Sequence, residues 1–190
     1  MLELVFKPLN YLSIEWKVDG HFSKKTFDQS IPLVIAILFS AILVCIEYYL
    51  GSSTKSNLNI FASDISTLMA GFLQTIPGFY IAALAAIATL TSPTMDRPMD
   101  GKPPTYDNEP LNRREFLARL FSYLSFISLS LYFFIIMLRY MYSSEILATT
   151  QIWYSIGYFF CLVLFFFLLV QLLLLTFLGL YYLGQRIHEN

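Results

Sequence analysis

The chain has 190 residues, 57% of them hydrophobic and only 13% charged, with a net charge of −1. Soluble domains carry about 25% charged residues, so this balance, with a mean hydropathy of +0.62, points to a membrane protein, and outside its four long apolar runs no segment exceeds 30 residues, too few for a separate enzyme domain. The segments on the predicted inner side carry ten carboxylates beside ten basic residues, which leaves no strongly basic surface for nucleic acid, and the whole reads as an all-α membrane protein, a bundle of four transmembrane helices behind a short N-terminal segment.

That segment, 1–30, is too short to bury a core of its own. Lys7, Pro8, Glu15, Lys17 and Asp19 interrupt any signal-peptide core. Leu12, Ile14, Trp16 and Val18 alternate with polar residues and lead into Asp19-Gly20. The pattern predicts a short strand entering a hairpin turn, with an amphipathic segment lying at the membrane surface as the alternative. His21 reads as a solvated turn residue.

The first long apolar run, 31–50, meets the roughly 20 residues a helix needs to cross about 30 Å of hydrocarbon. Ser30 suits its N-cap and Pro32 its first turn. Tyr48 and Tyr49 suit an aromatic belt at its far end. Glu47, one turn inside that end, is either a carboxylate reaching the headgroups or a sensing group paired with Arg139 of the third run.

The second run, 65–90, is rich in small residues. Gly78, Ala82 and Ala86 recur every four positions, the spacing that lets membrane helices approach closely. Pro77 lacks an N–H and is expected to kink the helix or break its ladder. Gln74 and Thr75, in the turn before it, are placed to bond the freed carbonyls. Tight helix packing and a gating hinge at Gln74 and Pro77 both fit this run.

Between the second and third runs, 91–115 holds Pro93, Pro98, Pro103, Pro104 and Pro110, five of the eight prolines. It is too polar to enter lipid and long for a mere connection. A solvated connector is the plain reading. A partner-docking surface carrying Arg97, Lys102 and Tyr106 is the functional one.

The third run, 116–142, follows a capping-box pair, Asn112 and Glu115. Arg113, Arg114 and Arg119 are positioned to meet lipid phosphates. Ser122, Ser125, Ser128 and Ser130 predict hydrogen bonds to a neighbouring helix or to their own backbone, with a watery path as the alternative. The fourth run, 152–187, is long enough to cross the bilayer and project beyond it toward Arg186 and His188. Phe159, Phe160, Phe165, Phe166 and Phe167 read as facing lipid or another subunit, and Gln171 as an interhelical hydrogen-bonding residue. Cys45 and Cys161 read as small apolar core residues rather than a disulfide or a metal site.

No catalytic motif, cofactor motif or metal-ligand cluster stands out. Cytoplasmic N- and C-termini would put Lys7, Lys17, Lys24, Lys25, Arg97, Lys102, Arg113, Arg114, Arg119 and Arg186 inside and only Lys55 and Arg139 outside. The positive-inside rule therefore predicts that orientation.

Four spans in a short chain, the small-residue second span MAGFLQTIPGFYIAALAAIATL and a proline-rich inner loop resemble one family. This is the KwaA family, the membrane subunits of the two-gene Kiwa anti-phage defence systems of bacteria. The resemblance implies an inner-membrane sensor of phage attack that forms a homo-oligomer, a tetramer. It also implies a cytosolic DNA-binding effector, KwaB, as partner, with no direct nucleic-acid binding by this chain. No functional residues are carried over. A small channel or holin-like pore and a passive membrane anchor are the rival readings from the residues alone.

Overall fold

A computed structural model of the chain describes residues 5–16, 23–54, 59–90, 95–97, 103–143 and 152–184. Lys17, the Asp19-Gly20 turn, His21, Lys55, Lys102, Arg186 and His188 lie outside these residues. Four helices dominate: α1 (Ile31–Thr54), α2 (Asp64–Thr89), α3 (Arg113–Ser143) and α4 (Ile152–Gly184). They match the four apolar runs to within about one helical turn, and all four are long and apolar enough to cross a membrane.

The helices do not form a closed ring. α1 packs on α4, α4 on α3, and α3 on α2, while α1 and α2 make no comparable contact. The centre therefore belongs to α3: 44% of its most apolar stretch is buried, against 17% in α1 and 22% in α2. Leu120, Leu124, Leu131 and Ile135 of α3 meet Leu162, Leu172 and Leu175 of α4 in the core. Those spacings of three, four, seven and ten are what put apolar residues on one face of a helix. Tyr80 of α2 reaches Thr176 of α4 across α3, hydroxyl to hydroxyl at 2.5 Å.

Large apolar side chains also cover the outside, among them Leu68, Phe79, Phe133 and Phe160, each about two-thirds exposed or more. A soluble surface rarely shows so much apolar area, and a helix apolar all round fits a lipid environment.

Several sequence-based expectations need correction. Gly78, Ala82 and Ala86 are exposed, so the small stripe of α2 is not packed within the chain. The buried residues of α2 are Ser66, Leu73, Pro77, Tyr80 and Ile87 instead. The close glycine contact lies elsewhere: a Cβ at Gly179 would sit 3.1 Å from the Phe121 ring and 3.2 Å from Leu120. α2 stays one helix through Pro77, and Thr75 donates to the Gly71 and Phe72 carbonyls rather than to Leu73, whose partner the proline removes. Phe165 and Phe166 are core residues, packed against Phe61 and Phe39. Cys45 is exposed and Cys161 partly buried, and both are free.

Ser30 is not an N-cap either. The chain is already helical at Lys24, and a π-helical turn, Thr26–Ser30, leads straight into α1. Of the strand expected at 12–18, Glu15 is bridged to Thr105 rather than to a return arm, Lys17 and Val18 lie outside the described residues, and Leu12 and Ser13 instead close a 3-10 helix, Lys7–Ser13. This one-sided turn buries Tyr11 while Val5, Phe6 and Leu12 stay exposed, the layout of the surface-lying alternative. The serines of α3 bond their own backbone, Ser128 to the Ser125 carbonyl and Ser130 to the Phe126 carbonyl, each at 2.9 Å.

A candidate docking platform at one end of the helices

The N-terminal segment, the start of α1, the end of α2, the start of α3 and the end of α4 meet at one end of the molecule. Two short strands, β1 (Thr105–Tyr106) and β2 (Glu109–Pro110), form a hairpin there. Its turn residues, Asp107 and Asn108, have φ of 52° and 66°. Asp and Asn tolerate the left-handed region better than most residues, which is why this pair can close a two-residue turn.

The hairpin is tied to the N-terminal segment. The Glu15 N–H donates to the Thr105 carbonyl and the Thr105 N–H to the Glu15 carbonyl, both at 2.9 Å. Glu15 thus extends the hairpin edge with residues 90 positions away in sequence. Beneath it, Trp16 packs edge-on against Phe116 of α3 and tilts against Tyr182 of α4. Tyr11 stacks on Tyr123 of α3 with ring centroids 5.0 Å apart.

Arg114 fixes the loop to the helices. Its guanidinium donates to the Ile87 carbonyl at 3.0 Å and the Leu90 carbonyl at 2.8 Å, and to Asp96 at 2.9 Å. Its backbone N–H donates to Met95, which is buried. The last carbonyls of a helix lack intrahelical partners and carry partial negative charge, so the fork of Arg114 caps α2 while holding the loop. Arg119 lies over the Tyr106 ring at 3.8 Å, a cation–π contact. Arg114 and Arg119 are therefore held by protein groups rather than free for lipid phosphates. Glu115 reaches back to the Asn112 N–H at 3.4 Å, one half of the expected capping box.

Under the platform lies a buried polar cluster. Lys24 and Asp28, 7% and 4% exposed, stand 3.5 Å apart. The Lys24 ammonium also donates to the Tyr11 carbonyl at 2.5 Å and sits 4.2 Å from the Tyr11 ring centre. Burial pushes the Lys24 amine down, and the Asp28 carboxylate opposes that only in part. Burial and then Asp28 hold the Tyr11 hydroxyl well above its ordinary range. Pro32 has no N–H to give the Asp28 carbonyl four residues before it. The side-chain amide of Gln171, itself buried in α4, donates to that carbonyl at 2.9 Å. The interhelical role expected of Gln171 is thus met at the entrance to α1.

Of the three docking residues named from sequence, Arg97 is exposed, Tyr106 is half-buried under Arg119, and Lys102 lies outside the described residues. The exposed edge of the platform carries Glu15, Asp96, Arg97, Asp107, Asn108 and Glu109. At the opposite end Glu47 does not pair with Arg139. Its carboxylate accepts from the Tyr158 hydroxyl at 2.5 Å and the Ile60 N–H at 3.3 Å, whereas Arg139 donates to Thr67. A nearby phenol and an open backbone N–H satisfy Glu47 without a cation. Gln74 is exposed on the outer face of α2, away from the buried Pro77. Among the described residues no group of three or more potential metal ligands occurs.

Sequence reasoning missed Arg114 as a clamp, Glu15 as a strand partner and the Lys24–Asp28–Tyr11 cluster. The sequence signals for the last were Pro32, which flags the Asp28 carbonyl as needing a donor, and Gln171, a donor in an apolar run. Comparisons of the chain with known protein families, curated proteins and solved structures find no match.

Proposed function

We propose that the chain is an oligomeric inner-membrane sensor and scaffold subunit of a bacterial anti-phage defence complex. Its platform, on the cytoplasmic side, recruits or activates a cytosolic DNA-binding effector of the KwaB type. The protein acts by holding and transmitting, not by catalysis. The observation that carries this reading is the pairing of Glu15 with Thr105, which unites two polar segments far apart in sequence into one surface. A mere tether between α2 and α3 needs neither a hairpin nor an arginine clamp, and far fewer residues. The excess of Lys and Arg on this end supports a cytoplasmic location. The resemblance to KwaA membrane subunits supplies the defence context and the tetramer.

The test replaces 96–110 with a Gly/Ser linker of equal length. Insertion and oligomer size should persist, while co-purification with the adjacent-encoded effector and protection against phage plaques should be lost. Full recovery of both in the linker variant would reduce the loop to a tether. Cysteine at Lys102, shielded from an impermeant reagent in intact cells, and cysteine at Ser53, labelled by it, check the orientation. The reverse pattern would put the platform on the wrong side for a cytosolic partner.

A further inference from the structure

Because α1 and α3 both lean on α4 but not on each other, a groove runs between them over α4. The 3-10 turn Lys7–Ser13 roofs one end of it. The result is a cavity of about 570 Å³, walled chiefly by Leu12 of the turn, Leu33 of α1, Phe126 and Ile127 of α3, and Phe167 and Leu168 of α4. Its size falls within the roughly 300–1,000 Å³ of small-molecule sites. We propose that this cavity binds an acyl chain of an anionic phospholipid from the adjoining leaflet.

Three observations select that occupant. First, the apolar wall continues onto exposed apolar surface. Leu33 is 44% exposed, and Leu129 and Phe133, beside the cavity residue Ser130, are 43% and 67% exposed. A hydrocarbon chain can enter sideways from a bilayer without crossing water. Second, the polar groups are not spread along the groove. Gln29 and Ser30 are exposed at its α1 edge, and buried Tyr123 and Gln171 stand next to them against the Lys24–Asp28 cluster. The other polar lining residue, Ser130, already donates its hydroxyl to the Phe126 carbonyl, so a headgroup and its ester oxygens meet most of their hydrogen-bonding partners at that edge. Third, cations stand beside the roofing turn and the start of α1. Lys7 opens the roofing turn and Lys25 lies one helical turn before Gln29; both are exposed, and neither has a carboxylate partner among the described residues. Free lysines near the membrane surface favour anionic lipid. Val5 and Phe6, exposed just before the roofing turn, and Leu12, exposed on it, place that turn at the hydrocarbon boundary. The site needs only four membrane-crossing helices, so it stands whether or not the platform recruits an effector.

The test uses the full chain in phosphatidylcholine nanodiscs doped with phosphatidylglycerol bearing a diazirine on its acyl chain. Adducts are mapped by mass spectrometry. Leu12, Leu33 and Phe126 should be labelled several-fold more than Phe133 and Phe177, which are exposed but outside the cavity. The excess should fall with diazirine-bearing phosphatidylcholine and in the Lys7→Gln/Lys25→Gln variant. Ser130→Trp, at an exposed position on the cavity edge, should abolish the excess while Phe133 and Phe177 stay labelled. Equal labelling inside and outside the cavity would overturn the proposal. So would equal enrichment of the zwitterionic lipid, or occupation of the groove by a second copy of the chain, seen as crosslinks between subunits.

Discussion

Arg114→Ala should loosen the platform without unseating the helices. The wild-type guanidinium makes bonds to the Ile87 and Leu90 carbonyls and an ion pair with Asp96. Hydrogen bonds to charged groups contribute about 1.5–3 kcal/mol when well buried. The Arg114 side chain is 27% exposed, so water recovers part of this, leaving about 1 kcal/mol for each carbonyl bond. Asp96 is 61% exposed, and such a pair adds at most about 0.5 kcal/mol. The local loss is therefore about 2 kcal/mol, and since 1.4 kcal/mol is a factor of ten, amide exchange in 95–97 and 103–111 should speed up roughly 30-fold. Arg114→Lys should fall between the two, because an ammonium cannot reproduce the fork. Hydrogen exchange followed by mass spectrometry on the purified protein reads this directly. Unchanged protection of the loop in Arg114→Ala would show that the clamp does not hold it.

Lys24→Met leaves Asp28 buried without its cation and should cost about 3–5 kcal/mol, whereas Lys24→Met with Asp28→Leu should recover most of that loss; thermal melts in detergent separate the two. Tyr11 keeps its proton in the folded state above the pH near 10 at which the unfolded chain releases it, so its contribution to stability is whole below that pH and is lost as pH rises further. Lys24 has the opposite sign, its folded state binding fewer protons just below the ordinary lysine range. Tyr11→Phe should therefore flatten the alkaline loss of stability between pH 9 and 11, and an unchanged slope would remove Tyr11 from the account. Ala82→Leu changes an exposed position; it should leave the melting of the single chain near wild type and reduce oligomer size in detergent, and an unchanged oligomer would free the stripe of any role between subunits.

The spans were legible because a membrane helix announces itself by length and uniform apolarity, and the runs at 31–50 and 65–90 differ from α1 and α2 only at their ends. Which face of each helix turns inward was less legible. In a helix apolar all round no hydrophobic stripe marks the core, so the small residues at Gly78, Ala82 and Ala86 drew attention while Gly179 made the close contact. The platform was legible as polar segments placed on one side of the membrane, not as contacts. The length and prolines of 91–115 and the polarity of 1–30 marked them as exposed, but Glu15 meeting Thr105 depends on how α2 and α3 bring the loop back. Asp107-Asn108, two residues that tolerate the left-handed region, was a weak turn signal. The polar cluster could be half inferred: a glutamine in a long apolar run needs a partner, and Pro32 leaves the Asp28 carbonyl without one.

The claim that the platform is the working face can be tested at a single position. A photo-crosslinking amino acid placed at Arg97, exposed on that face, can be compared in living cells with the same residue at Phe133, exposed on the helix flank. The expected result is a specific adduct with the adjacent-encoded cytosolic effector from position 97 and none from position 133. An effector adduct from position 133 alone, or no effector adduct from 97 in cells that remain protected against phage, would contradict it.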